Sequence, residues 1–285
     1  MSLPYDAAIK DLVQSYPQDW LAGVGLPAAG PVAVVNVDLS TVTAAADAIF
    51  AVGDPPAYYV TFEFQSGRDA GLSRRVLVYN ALLHQRFGLP VQSVVVLLRR
   101  AANDAALDGT VRYEVRAGLG GMDFRFEVVR VWERPADELL RGAVGMVPLA
   151  PLGALPPGLP PEVALAPVVR QLEERLVRET APSDSARLLT AAFVLTGMRL
   201  SADAAAELFQ GVRVVEESTT YQWIMEKGAI RHGRKMLLAQ GRVKFGEPDA
   251  ATRARIEAID NLDQMDRLIE RLILVNSWQE LFEGT

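Results

Sequence analysis

The chain has 285 residues, half of them hydrophobic, with 29 Lys plus Arg against 35 Asp plus Glu and a formal charge of −6. That length allows one large domain or two ordinary ones, with apolar residues enough for a sizeable core. Cys is absent and only His84 and His232 occur, which excludes a disulfide framework and a zinc-thiolate centre and leaves little material for a zinc hydrolase or a Ser-His-Asp triad.

The opening Met1-Ser2-Leu3-Pro4-Tyr5-Asp6 lacks the basic and apolar regions of a signal peptide, and no apolar run approaches the ~20 residues of a membrane span. A cytoplasmic protein without a membrane partner is expected. Residues 5–22 read as a helix with Ile9, Leu12, Val13 and Tyr16 on one face. Residues 32–39 are apolar and β-branched, a strand. Residues 46–52 and 58–65 read as two more strands joined by the turn chemistry of Gly53-Asp54-Pro55-Pro56. Alternation along 58–65 puts Thr61, Glu63 and Gln65 on one face and Phe62 and Phe64 on the other. A hairpin then brings Asp47 beside Glu63. Two carboxylates and a polar neighbour at strand ends suit a hard divalent cation, which is phosphodiester-cleavage chemistry. An edge strand with one wet face is the plainer alternative.

A helix is expected over 71–87 from the spacing of Leu72, Val76, Tyr79, Leu83 and Phe87, then a buried strand over 91–98. Strands follow at 111–115 and 124–132. The order implies an α/β fold with a mixed sheet flanked by helices. Six prolines between 148 and 161 read as a stiff linker. Beyond it the pattern is helical: 162–177, 183–196, 202–210 and 221–240. Asn261-Leu262-Asp263-Gln264 and Ser277-Trp278-Gln279-Glu280 look like capping boxes opening short helices. The expected organisation is a catalytic domain over 1–147, a linker over 148–161 and a helical region over 162–285. Within that region Ile256, Ile259, Leu262, Met265, Leu268, Ile269, Leu272 and Ile273 form an apolar stripe. Packing on the preceding helices accounts for part of it, and a homodimer through these helices for the rest.

The segment Phe62-Glu63-Phe64-Gln65-Ser66-Gly67-Arg68-Asp69, followed by Arg75 and Tyr79 on a helix, carries a more specific signal. It resembles the recombination-promoting nuclease, or putative-transposase, family of bacteria, a branch of the PD-(D/E)XK nuclease superfamily. There an E-x-Q-S strand end precedes an Asp and a helix with R-x-x-x-Y. Asp6 and Lys10 resemble the family's opening D-x-x-x-K helix, and Asp47 matches the metal-binding Asp of its hairpin. The likeness runs over about residues 5–100. Segments around Gln240-Gly241-Arg242 and Trp278-Gln279-Glu280 also resemble the C-terminal helices of many members. Ala44, Ala45 and Ala46 stand where many members carry an Arg and a Glu.

The resemblance implies a PD-(D/E)XK core and a metal-dependent DNA endonuclease, tied to recombination or mobile elements. Asp47 and Glu63 would hold Mg²⁺, or Mn²⁺ in its place, with the Phe64 carbonyl as a further ligand. Gln65 stands where the superfamily usually has Lys, and its amide would orient the attacking water. Asp6 would position a second metal or a water. Lys10, Arg68, Arg74, Arg75 and Tyr79 are the candidate DNA contacts, Arg75 as a phosphate clamp or as an ion pair with Asp69. A basic run ending in His232-Gly233-Arg234-Lys235 is a further DNA contact or a solvated helix face, and His84 reads as structural. The acidic charge and the three alanines favour the alternative: a degenerate nuclease fold acting as a binding or assembly protein. RNA as the substrate is a lesser alternative.

Overall fold

The computed structural model describes residues 4–35, 46–114, 121–210, 212 and 219–282. The expected strand end at 36–39, Ala44, Ala45 and Val115 lie outside these residues, as does the side chain of Lys227. The chain divides into two compact units, Met1–Val215 and Glu216–Thr285. Among the described residues no helix is long and apolar enough to cross a membrane.

The first unit opens with α1 (Pro4–Ser15) and α2 (Pro17–Gly23) in place of the single helix expected over 5–22. Pro17 explains the break. It has no N–H to continue α1 and its fixed φ suits the first position of a new helix. The sheet follows: β1 (Val32–Val34), β2 (Ala48–Val52) and β3 (Tyr58–Gln65) run as an antiparallel meander. After β3, the helix α3 (Leu72–Phe87) crosses over to β4 (Val91–Leu97), which pairs parallel with β3. A crossover helix is what joining parallel neighbours requires. One more strand completes the sheet in the order β1-β2-β3-β4 and then Glu127–Arg130. The α/β class with a mixed sheet is therefore as the element order indicated.

The strand expected over 124–132 is two strands in different sheets. A hairpin of β5 (Thr110–Glu114) and β6 (Gly121–Arg125) stands apart, and β7 (Glu127–Arg130) joins β4. Phe126 is the switch residue. Its N–H donates to Gly109 O at 2.9 Å, and Gly109 has φ +82°, with space so tight that a Cβ would sit 2.6 Å from Phe126 O. Only glycine lets the two backbones meet there.

Each sheet face has its own cover. Phe50 and Phe62, ring centroids 5.3 Å apart, lie under Trp20 of α2, whose ring meets Phe62 edge-on at 6.3 Å. On the other face Ile49, Ala51 and Tyr59 pack against Leu83 of α3.

The expected linker is a core element. After α4 (Ala136–Arg141), residues Val144–Leu152 form a 3₁₀ helix in which Gly145 to Leu152 are all buried. The prolines misled because Pro148 and Pro151 are three apart. A 3₁₀ helix repeats every three residues, so both rings fall on one side of an otherwise apolar turn. Gly145 is packed so closely on Tyr16 that a Cβ would lie 2.3 Å from that side chain. Its N–H donates to Asp19 Oδ2 at 2.7 Å. Only the later part, from Ala154 to Pro160, is mostly exposed. The helices α5 (Pro161–Glu179), α6 (Pro182–Thr196) and α7 (Ala202–Phe209) then belong to the same unit as the sheet, and the division of the chain falls at Val215 rather than near Pro148.

The second unit is helical: α8 (Thr219–Phe245), α9 (Ala250–Ala258), α10 (Leu262–Leu274) and α11 (Trp278–Phe282). Both expected capping boxes start helices. Asn261 Oδ1 accepts from Gln264 N–H at 3.0 Å and Ser277 Oγ from Glu280 N–H at 3.2 Å. Ile256, Ile259, Met265, Leu268 and Leu272 of the apolar stripe are buried against Ile230 and Leu237 of α8, and Ile273 is left 76% exposed. The basic run lies on α8, where Arg231, His232 and Lys235 are exposed and Arg234 is spent on Ile259 O.

Two glycines eight apart on α8, Gly233 and Gly241, let this packing close. A Cβ on Gly241 would lie 2.1 Å from the Trp278 ring. Gly241→Ala is therefore expected to destabilise the second unit by ~1–3 kcal/mol through overpacking, despite the better helix propensity of Ala. Gly228, with nothing within 4 Å of its Cβ position, is the control. There Ala should stabilise by up to ~1 kcal/mol. Thermal unfolding followed by circular dichroism separates the two, and equal midpoints for both variants would refute the packing argument.

Candidate active site

The site is built by the end of the β2–β3 hairpin and two helices. The pairing of Ala48 with Phe62 carries on to put Asp47 opposite Glu63. Asp47 Oδ2 accepts the Phe64 N–H at 3.0 Å, which fixes the carboxylate at the strand end. Glu63 is only 4% exposed. Its Oε2 lies 3.5 Å from Arg75 Nη2, and its Oε1 is buried with no hydrogen-bond partner.

The first helix is pinned over the same strand end. Ser66 Oγ donates to Tyr5 Oη at 2.8 Å, and one turn on Lys10 Nζ lies 3.2 Å from Asp47 Oδ1. Asp6, Ile9, Lys10, Asp47, Phe64 and Leu98 thus line one small pocket. From the other side α3 brings Arg75. Asp69 Oδ1 accepts the Gly71 N–H at 2.8 Å just before this helix, and its Oδ2 pairs with Arg75.

The electrostatics follow from burial. Glu63 is pushed up to about 7, first by loss of solvent and then by the Asp47 charge, with Arg75 and Lys10 opposing. Asp69, by contrast, is held below the usual carboxylate range, chiefly by its hydrogen bond from Arg75. With Glu63 ionised, Asp47, Glu63 and Asp69 set three carboxylates against Lys10 and Arg75, so negative charge is in excess at this strand end.

The structure brings Lys10 to Asp47 and Arg75 to Glu63 at one strand end, and Asp6 lines the pocket that holds Lys10 and Asp47. Gln65 is half-buried on the Glu63 side by strand parity, and its carbonyl accepts the Leu98 N–H at 2.8 Å. Arg75 forms the Asp69 ion pair that was the plainer of its two readings. Tyr79 is 2% exposed, so its ring packs inside and does not face a nucleic-acid ligand. Arg68 is on the surface, paired with Asp104 at 2.7 Å, and Arg74 is exposed on α3. His84 is structural, its Nδ1 2.8 Å from Leu89 O.

Among the described residues no group of three or more His, Cys, Asp or Glu gathers as a metal site. The donors that converge are the pair Asp47 and Glu63. That set fits Mg²⁺, which is commonly held by one or two carboxylates with waters and substrate phosphates filling the rest. The unpartnered Glu63 Oε1 and the surplus negative charge are the features that a divalent cation would satisfy.

Sequence reasoning missed a second concave feature of this unit, a cleft lined by Arg99, Arg100, Trp132 and Arg199. The tandem Arg99-Arg100 after a strand was the available signal; Arg199 joins them only through the fold. Comparison of the chain with protein-family models, curated proteins and solved structures finds no match in any of the three.

Proposed function

We propose that the protein is a metal-dependent endonuclease that hydrolyses phosphodiester bonds in DNA at the Asp47–Glu63 site. The observation that carries this reading is the carboxylate pair: buried Glu63 opposite half-buried Asp47, one Glu63 oxygen without a partner, and an excess of negative charge once Glu63 is ionised. The order of elements supports it. An opening helix with Asp6 and Lys10, a hairpin with Asp47, a strand ending in Glu63-Phe64-Gln65-Ser66, a helix with Arg75 and Tyr79, and a parallel strand follow one another as the resemblance implies for a PD-(D/E)XK core.

Asp47 and Glu63 would hold Mg²⁺ or Mn²⁺, which when bound supplies an activated water and charge neutralisation at phosphorus. Lys10, half-exposed and paired with Asp47, would meet a phosphate oxygen. Arg75 holds the Glu63 carboxylate in its rotamer rather than clamping substrate. Gln65 orients the water through its amide. The test is plasmid cleavage with Mg²⁺ or Mn²⁺ and its loss in EDTA. A protein that leaves plasmid intact under all these conditions, yet is folded, would refute the reading.

One observation favours the non-catalytic alternative. Lys10 already pairs with Asp47, and Arg75 with Glu63 and Asp69, as structural ion pairs would. The two readings make opposite predictions for Glu63→Gln, taken up in the Discussion.

The homodimer now rests on less surface. Of the large apolar residues of the second unit, Val243, Ile273 and Leu274 are 90%, 76% and 80% exposed. Light scattering on the full chain against a chain ending at Val215 is the measurement. The dimer reading expects twice the monomer mass for the full chain alone, and it fails if both are monomers at micromolar concentration.

A further inference from the structure

The cleft missed by sequence reasoning encloses about 400 Å³, within the usual range for a ligand site. One wall is the end of β4 and the turn after it, with Leu98, Arg99 and Arg100; the others are Trp132, the segment after the 3₁₀ helix, and Arg199 beyond α6. These positions are far apart in sequence and are gathered by the fold of one unit.

Two of the three guanidinium groups are held, not trailing. Arg199 Nη1 donates to Pro151 O at 3.2 Å and Gly153 O at 2.8 Å. Gly153 is itself fixed, since a Cβ there would lie 2.9 Å from Arg134 O. Arg100 stacks over the Trp132 ring at 5.9 Å. Among the described residues none of Arg99, Arg100 and Arg199 is in an ion pair with a carboxylate. Partial burial and the Arg100 charge together pull the Arg199 pKa down. Like charges thus face one cleft without a counter-charge, in a chain that is acidic overall. An anion with several oxygens would relieve them, and forked guanidinium donors match phosphate.

Position decides which anion. Leu98 lines both this cleft and the acidic pocket, and its N–H is bonded to Gln65 O. The arginine cleft therefore adjoins, across Leu98, the pocket that holds Asp6, Lys10 and Asp47. We propose that Arg99, Arg100 and Arg199 bind a backbone phosphate of a nucleic-acid strand whose neighbouring phosphodiester lies at Asp47 and Glu63. This extends the nuclease reading and rests on it for the register of the strand. Phosphate contacts of this kind set position without reading sequence.

The experiment is fluorescence anisotropy of a labelled 30-base-pair DNA duplex on the full chain in EDTA, so that nothing is cut. The double variant Arg99→Gln, Arg100→Gln removes two charges from exposed positions at the cleft wall. It should weaken binding by about tenfold or more and flatten the slope of log K against log salt by about 0.9 for each phosphate no longer neutralised. Arg199→Gln should act in the same direction, with circular dichroism checking that its two carbonyl hydrogen bonds are dispensable to folding. Unchanged affinity and slope in the folded double variant would overturn the proposal. So would a wild type that binds inorganic phosphate through these arginines but not the duplex, since the site would then serve a small phosphorylated ligand. Cleavage assays keep the two readings apart. Normal cutting by a double variant of unchanged affinity sinks the cleft alone. Arginine-dependent binding by a wild type that never cuts sinks the nuclease reading and leaves the cleft as a nucleic-acid contact.

Discussion

On the nuclease reading, Glu63→Ala is expected to lower Mg²⁺-dependent plasmid cleavage by ~100-fold or more, and Asp47→Ala by a similar factor, because each would remove a direct metal ligand. The expectation rests on their convergence across the hairpin, with Asp47 anchored by the Phe64 N–H. Gln65→Ala should cost less than either, since it removes an orienting group and no charge. Gln65→Lys should retain activity, because an ammonium can also hold a water. Cleavage rates measured side by side on equally folded preparations make the comparison. Equal cutting by wild type and Glu63→Ala would mean that the activity belongs to a contaminant.

The second large effect is on stability. A carboxyl raised from its ordinary 4.5 to about 7 holds a proton in the folded chain that the unfolded chain has already released. Stability from this group must therefore fall as pH rises from about 4.5 through 7, and the full penalty, of order 3 kcal/mol, applies above that. Glu63→Gln removes the penalty. At pH 8 the variant should melt several degrees higher than wild type, and at pH 4.5 the two should nearly coincide. If Glu63 served instead as a structural ion pair, Glu63→Gln would lower the melting temperature at pH 8. A divalent cation gives a second readout without catalysis: Mn²⁺ should raise the wild-type midpoint at pH 8 and leave that of Glu63→Gln unchanged. A variant that is more stable and inactive is the usual signature of a carboxylate kept for chemistry.

The centre of this site could be read directly from the chain. Strand parity, turn residues and one stretch of motif were enough to put Asp47 beside Glu63, because β2 and β3 are adjacent in sequence and joined by a short turn. Lys10 and Asp6 came from the resemblance alone; nothing in their helix announces that Tyr5 is tied to Ser66 across 61 residues. Arg75 shows the limit of motif reading. Its spacing from Tyr79 was legible, but burial turns one into a rotamer lock and hides the other. The arginine cleft was invisible because Arg100 and Arg199 meet only after the 3₁₀ helix has docked. Proline count, read as a composition, pointed to a linker, and only the three-residue repeat inside it would have pointed to a core turn.

That buried turn also bears on how the protein emerges during synthesis. Residues 144–152 cover Tyr16 and Asp19, which are made early, and α6 is in turn joined to α1 through Arg187, 3.6 Å from Asp11. The first helices and the hairpin therefore leave the ribosome with part of their apolar cover still untranslated. A nascent chain stopped near residue 147 should be held open and bound by chaperones, and one extended past Thr196 should become compact and resist protease. Asp47 and Glu63 would thus take up their final geometry only after most of the first unit has been made.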